Sequence, residues 1–439
     1  MNQEDFQALS DRLFARLSGG EVLFCSLGGE TSDFVRLTRN RIRQAGHLHS
    51  FSLGLTLISG ARQAEGVCDL TGQPGPDLAR AARLLQSLRE RIGHVPEDPY
   101  LNYSVEPTQG ARRVSAEMPS AEEALSDLVA AAEGLDLVGI WAGGEILEAL
   151  SSSIGHRHWH QSTSFNLDWS GYLEADKALK SCYGGFSWDP SVLRGRLDAM
   201  RDALKVMERP AMTIAPGRYR AYFAPAAVQE LMEMLAWGGF DLKSHRTQQT
   251  PLLKLVRGER RLDPRIGIRE ESSRGLAAGF TAEGFLQPDS VTLIEKGAHA
   301  DCLVDARSAK EYGGIVNAGG ETPESLALDA GDLPLDAVPS RLGTGLYIGN
   351  LWYCNWSDAN ECRITGMTRF GTFWVENGEI QAPVKAMRFD DSLYHLLGDR
   401  LEGLTREREL ILSADTYDGR STGSALLPGL LVSGIDLAL

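Results

Sequence analysis

Hydrophobic and polar residues change period several times along this chain. In SFSLGLTLIS (50–59), Phe51, Leu53, Leu55 and Leu57 fall on alternate positions, the two-residue period of a half-buried strand. Helical spacing predicts helices at 5–17 and 77–91. Apolar runs predict further strands at 22–27 and around 34–43. About 115 residues on, the order returns: a helix at 120–133, strands at 135–142, 156–165 and 167–175, and a helix at 191–207. Gly28-Gly29-Glu30 follows the first strand of one set, and Gly143-Gly144-Glu145 follows the first strand of the other. The recurrence predicts a duplicated α/β half-domain.

Helical periodicity ends at Glu208-Arg209-Pro210, which marks a boundary between domains 1–208 and 209–439. Strand patterns dominate the second domain. Residues 291–306 read as a hairpin around Lys296-Gly297. Residues 371–389 read as another around Asn377-Gly378, a pair suited to the positive φ angles of a type I′ turn. The Gly/Asp-rich stretch 313–345 reads as one long loop. Asp390-Asp391 would cap a helix at 392–401. The main helix of this half is 225–237, with Pro225 in its first turn and Gly238-Gly239 as its stop. The fold class is therefore α+β in two domains: a duplicated α/β half-domain, then a β-rich domain with one prominent helix.

Composition narrows the function. At 439 residues, with 43% hydrophobic and 23% charged, the chain is an ordinary globular protein large enough for two or three domains. The net charge of −15 argues against nucleic acid, whose phosphates require clustered cations. No apolar run approaches the ~18 residues that span a bilayer, and the acidic start is not a signal peptide. A cytoplasmic location is expected. The six cysteines, scattered without CxxC spacing, are then expected to be reduced and mostly buried.

Three patterns could carry chemistry. His156, His158 and His160 share a strand face, yet the outer pair would stand ~13 Å apart, too far for one ion without a sharp bend. Cys354 and Cys362 bracket Asp358 and Glu361 without a recognised ligand spacing. The aromatic group Tyr347, Trp352, Tyr353, Trp356, Phe373 and Trp374 is dense enough for a core, an interface or a peptide contact, with Arg369 as a partner for peptide carboxylate or backbone. Trp352, Trp374, Arg369 and Asn317 are the candidate cleft residues. There is no GxSxG, and the GxG occurrences lack a strand–GxGxxG–helix context.

Seven segments in order resemble the TldD/PmbA family. They are FVRLTRNRIRQAG (34–46), HRHWH through SGYL (156–173), DKALKSCYGGFSWD (176–189), PGRYRAYFAPAAV (216–228), TAEGFLQPDSVTLIEKG (281–297), residues 345–385 and ALLPGLLVSGIDLAL (425–439). Residues 345–385 are the most specific. The resemblance implies a two-domain α+β subunit whose β-rich domain carries the cleft. One branch, like TldD, holds zinc through HExxxH on the helix and a later cysteine. The other, like PmbA (TldE), lacks those ligands and forms a heterodimer with the first.

A hydrolytic zinc needs about three His or Cys ligands and an open position for water. Either register of the family motif places Gln229-Glu230 or Leu231-Met232 where His-Glu would stand, with Ala236 also among the degenerate positions. Val228, Leu231, Met232, Leu235 and Ala236 form a core-facing stripe instead. Residues 413–429 contain no cysteine. The resemblance thus implies a PmbA-like subunit that binds no metal itself and pairs with a TldD-like catalytic subunit that carries the zinc. Peptide is the expected substrate, and a homodimer is an option in isolation. Two alternatives stand beside it: a stand-alone homodimeric hydrolase using His156, His158, His160, Cys354 or His245, and a pure interaction scaffold.

Overall fold

The computed structural model describes residues 1–174, 177–417 and 419–438. The predicted end of the strand at 167–175 and single positions of segments 176–189, 413–429 and 425–439 lie outside the described residues.

The N-terminal domain opens with α1 (Gln3–Phe14), started by a capping box in which Asp5 N–H donates to Asn2 at 2.8 Å. It continues through β1 (Glu21–Thr38), β2 (Arg41–Ser59), β3 (Arg62–Leu70), α2 (Pro74–Ile92), β4 (Gln109–Val114), α3 (Ala121–Ala131), β5 (Asp136–Ser152), β6 (Arg157–Glu174), β7 (Lys177–Gly185) and α4 (Pro190–Met207). The α-β-β-β-α order occurs twice, with β4 inserted between the two sets. One sheet runs β3-β2-β1-β5-β6, and β4 and β7 both pair with β6. Leu53, Leu55 and Leu57 of β2 meet Phe6, Leu9 and Leu13 of α1 and Leu85 and Leu88 of α2 in one core. Trp141, Trp169, Leu125 and Leu197 build a matching core under α3 and α4.

The glycine pairs do not end strands. β1 runs straight through Gly28-Gly29-Glu30, and β5 through Gly143-Gly144-Glu145. A Cβ on Gly29 would lie 2.7 Å from the Phe51 ring, and one on Gly144 would lie 2.1 Å from the Thr31 carbonyl oxygen. These glycines permit close approach within the sheet. The turn falls instead at Arg39 and Asn40, with φ of 53° and 52°, so the strand expected at 34–43 is split there. The strands expected at 156–165 and 167 onward are one strand, β6.

The C-terminal domain follows the order β8 (Gly217–Phe223), α5 (Pro225–Ala236), α6 (Leu242–Arg246), α7 (Leu253–Val256), β9 (Ile268–Glu270), β10 (Val291–Glu295), β11 (Ala298–His299) and α8 (Ala306–Tyr312). Then come β12 (Ser325–Leu328), α9 (Val338–Leu342), β13 (Gly345–Ile348), β14 (Trp352–Asp358), β15 (Arg363–Met367), β16 (Thr372–Glu376), β17 (Glu379–Pro383), β18 (Arg388–Ser392), β19 (Leu401–Leu412) and β20 (Ser424–Leu437). These strands form a second mixed sheet, with the path β11-β10-β9-β12-β20-β8-β13-β16-β17 and the rest attached beside it. The α+β expectation holds: two sheets, and α5 as the longest helix of the second domain.

Two local expectations are corrected. The stretch 313–345 is not all loop, because Ser325–Leu328 is fully buried and pairs with both β20 and β9. Residues 390–391 belong to β18, and the helix expected at 392–401 is shorter, helical over 393–399 with a π-type turn at His395–Asp399. Asp391 is fully buried and paired with Arg400 at 2.7 Å, and Asp390 pairs with Arg363. Ion pairing to distant arginines holds these carboxylates in place of helix capping.

Candidate functional site

Helix α5 leaves β8 through Pro225 and stops at Gly238, whose φ is +79°. Val228, Leu231, Met232 and Leu235 are buried in the main core of the domain with Phe223, Ile348 and Leu430. The opposite flank faces a cavity of about 450 Å³ between the two domains. Gln229, Glu230, Glu233 and Ala236 line it from α5, with Met232 at its base. Asp168 on β6 and Lys180 on β7 form the N-terminal wall, and Asn350 lies on the C-terminal side. Of the degenerate positions, Gln229, Glu230, Met232 and Ala236 therefore reach one cavity, while Leu231 is sealed in the core. Ala236, expected in the core-facing stripe, lines the cavity, and Met234 is buried in the core in addition.

The electrostatics are unbalanced. Burial, with Glu233 alongside, raises the Glu230 carboxyl to about 7, and Glu230 makes no hydrogen bond or ion pair among the described residues. Glu233 is more open to solvent and accepts a hydrogen bond from Gln229 Nε2 at 2.8 Å, yet the enclosing walls still raise its pKa. Asp168 is also raised by burial, partly offset by Lys180 at 3.6 Å. Burial and the two glutamates push the Cys354 thiol up to about 12, so this cysteine of β14 is no nucleophile at neutral pH.

The donor set does not suit a hydrolytic zinc. The α5 flank supplies one amide and two carboxylates and no imidazole, and no group of three His, Cys, Asp or Glu side chains converges on one ion position among the described residues. The histidines are engaged elsewhere. His158 Nε2 lies 2.8 Å from Thr108 Oγ1, and its ring stacks on Phe280. His160 Nε2–H donates to the Leu276 carbonyl at 2.7 Å, and His156 Nδ1 lies 3.0 Å from Ser152 Oγ. Burial lowers all three pKa values, His158 to about 4. His245 Nε2–H donates to the Gly239 carbonyl at 2.8 Å.

The other candidates lie away from the cavity lining. Arg369 stacks on Trp352, with its guanidinium 5.1 Å from the ring centroid, at an exposed site. Trp374 packs edge-on to Tyr219 at 6.1 Å. Asn317 Oδ1 accepts from Val304 N–H at 2.8 Å, and its Nδ2 donates to the Cys302 carbonyl at 3.0 Å, which fixes a loop. Asp168, Lys180 and Asn350 were missed in the sequence. Asn350 was the most detectable, a polar residue between the apolar runs Gly345–Ile348 and Leu351–Trp352 of the most specific segment.

The cavity is bounded by a β-rich domain that carries α5 and by a duplicated α/β domain, an architecture of the metallopeptidase type. The PmbA/TldA metallopeptidase C-terminal domain profile matches residues 216–439, and the chain belongs to this family. Solved structures share the fold over nearly the whole chain. TldE from Thermococcus kodakarensis superposes with a TM-score of 0.82 at 14% identity, covering 99% of this chain and 100% of that one. A candidate modulator of a DNA gyrase from Thermotoga maritima MSB8 gives 0.75 at 16% identity, with 99% and 100% covered. Another from Bacteroides thetaiotaomicron VPI-5482 gives 0.74 at 15%, with 100% and 98% covered. No curated protein matches the sequence.

Proposed function

We infer that this chain is the non-catalytic subunit of a two-component zinc peptidase of the TldD/TldE type. The observation that carries this reading is the α5 flank: where the catalytic branch would carry histidines, this chain presents Gln229, Glu230, Glu233 and Ala236 to an interdomain cavity. Its role would be to pair with a TldD-like subunit that supplies the zinc, and to help hold an unstructured peptide extended for cleavage in the cytoplasm. Extended peptides dock by adding a strand to a free sheet edge. β14 is suited to this, since it pairs only with β15 among the described residues and is largely exposed.

The test is co-expression with a TldD-like chain, followed by zinc analysis and peptide cleavage. The expected outcome is a stable heterodimer with zinc bound only to the partner and activity only in the complex. One zinc per isolated chain, with chelator-sensitive cleavage, would overturn the reading.

A further inference from the structure

The interdomain cavity holds an uncompensated negative charge in a partly desolvated space. Four carboxylates, Asp168, Glu230, Glu233 and Asp415, face one ammonium, Lys180, which is paired with Asp168 at 3.6 Å and only partly offsets the glutamates. Glu230 has no partner among the described residues, an arrangement that costs free energy unless something else supplies the opposite charge. A second observation is independent of charge. Asn350 is only 7% exposed, lines the same cavity, and its side-chain amide makes no hydrogen bond among the described residues. Buried amides are normally satisfied. Asn350 lines the same cavity as Glu230 and Glu233, so its unpaired amide is available there to supply an acceptor oxygen.

The geometry points to a binding site for the cationic side chain of a peptide, a lysine ammonium or arginine guanidinium, held by Glu230 and Glu233 with Asn350 as the neutral acceptor. This rests on reading the chain as a peptide-holding subunit, and it adds the class of residue that the cavity selects. The volume of about 450 Å³ falls within the ordinary range for small-ligand pockets, roughly 300–1,000 Å³. Met232, Ala236 and Leu326 supply apolar wall for the methylene stem of such a side chain. All donors in the incoming group would be matched by oxygen acceptors. A neutral or acidic side chain would leave Glu230 unpaired or add repulsion.

Ionised Glu230 is needed, so binding should strengthen as pH rises through about 7 and should release protons below that pH. The titratable groups that share its surroundings are Glu233 on α5, Asp168, Lys180 and Cys182 across the cavity, Asp415 after β19, and Cys354 on β14.

The experiment is calorimetry on the full chain with N-acetyl-Gly-Lys-Gly-amide against the same peptide carrying norleucine. The lysine peptide is expected to bind at least about tenfold more tightly, as for loss of one charge-assisted hydrogen bond. E230Q, checked for folding by thermal unfolding, should remove that preference, and E233Q should reduce it. Equal affinity for both peptides, no heat with the lysine peptide, or an unchanged preference in E230Q would overturn the proposal. So would saturation of the site by Ca²⁺ or Mg²⁺ alone. These outcomes are separate from the subunit role, which stands or falls on heterodimer formation and zinc content.

Discussion

Asp391 and Arg400 form a buried ion pair, with Arg400 Nη1 donating to Asp391 Oδ2 at 2.7 Å. The same carboxylate accepts from the backbone N–H groups of Ser392 at 2.8 Å and Asp436 at 2.9 Å, and Arg400 also reaches Asp436 at 3.2 Å. The cluster ties β18 and β19 to the end of β20. D391A is expected to destabilise the protein by about 2–4 kcal/mol, because it leaves the buried Arg400 charge with only the longer contact to Asp436 at 3.2 Å and strips the backbone N–H of Asp436 of its acceptor. D391A/R400M should recover part of that loss. Urea unfolding of the two variants checks this, and a single-variant loss below about 1 kcal/mol would refute it.

Glu230 makes a pH-dependent contribution with a definite sign. Its pKa is raised from 4.5 to about 7 in the folded chain, so the folded state favours the protonated carboxyl. Stability from this group is fully present below pH 4.5 and is lost as pH rises through about 7. E230Q is therefore expected to match the wild type in acid and to exceed it in stability above neutrality. Unfolding midpoints across this range would contradict the assignment if the variant fell below the wild type at high pH.

His158 acts in the opposite direction. Its pKa is depressed from 6.5 to about 4 by burial, so its contribution is present above pH 6.5 and is lost as pH falls towards 4. H158F keeps the aromatic stack on Phe280 and removes the titration. The variant should show a shallower loss of stability between these limits. A histidine resonance from residue 158 titrating near 6.5 would sink the idea.

Arg420 tethers the loop between β19 and β20 to the other domain. It donates to the Gly144 carbonyl at 3.1 Å and to Ser164 Oγ at 2.5 Å, while its backbone N–H reaches Glu30 Oε2 at 3.0 Å. Burial lowers its pKa to about 10, still charged at neutral pH. R420A should speed amide exchange at residues 419–423 by at least about tenfold, with β20 unaffected. Unchanged exchange in that loop would show that the tether is redundant.

The legible parts of this fold were those with a strong period. The alternation in β2 and the stripe of α5 were visible because one face of each is buried and the other is not. Gly28-Gly29 and Gly143-Gly144 misled, since a glycine needed for close approach within a sheet looks the same in sequence as one needed for a turn. β12 was missed because a four-residue, fully buried strand has no alternation to display. Asp391 resembled a cap because its partner, Arg400, is set by tertiary contact and not by local spacing. The α5 half of the cavity was readable from position, whereas Asp168 and Lys180 arrive from another domain and carry no local signal.

The pairing of β1 with β5 extends from Phe24 opposite Ser152 to Leu37 opposite Gly139, joining the two α-β-β-β-α sets through their first strands. Each set on its own would therefore end in a long row of unpaired backbone donors and acceptors along β1 or β5, the kind of template on which chains stack. The covering of these two edges is thus a property of both sets together, and dividing the gene between them is expected to leave two fragments with open, association-prone edges.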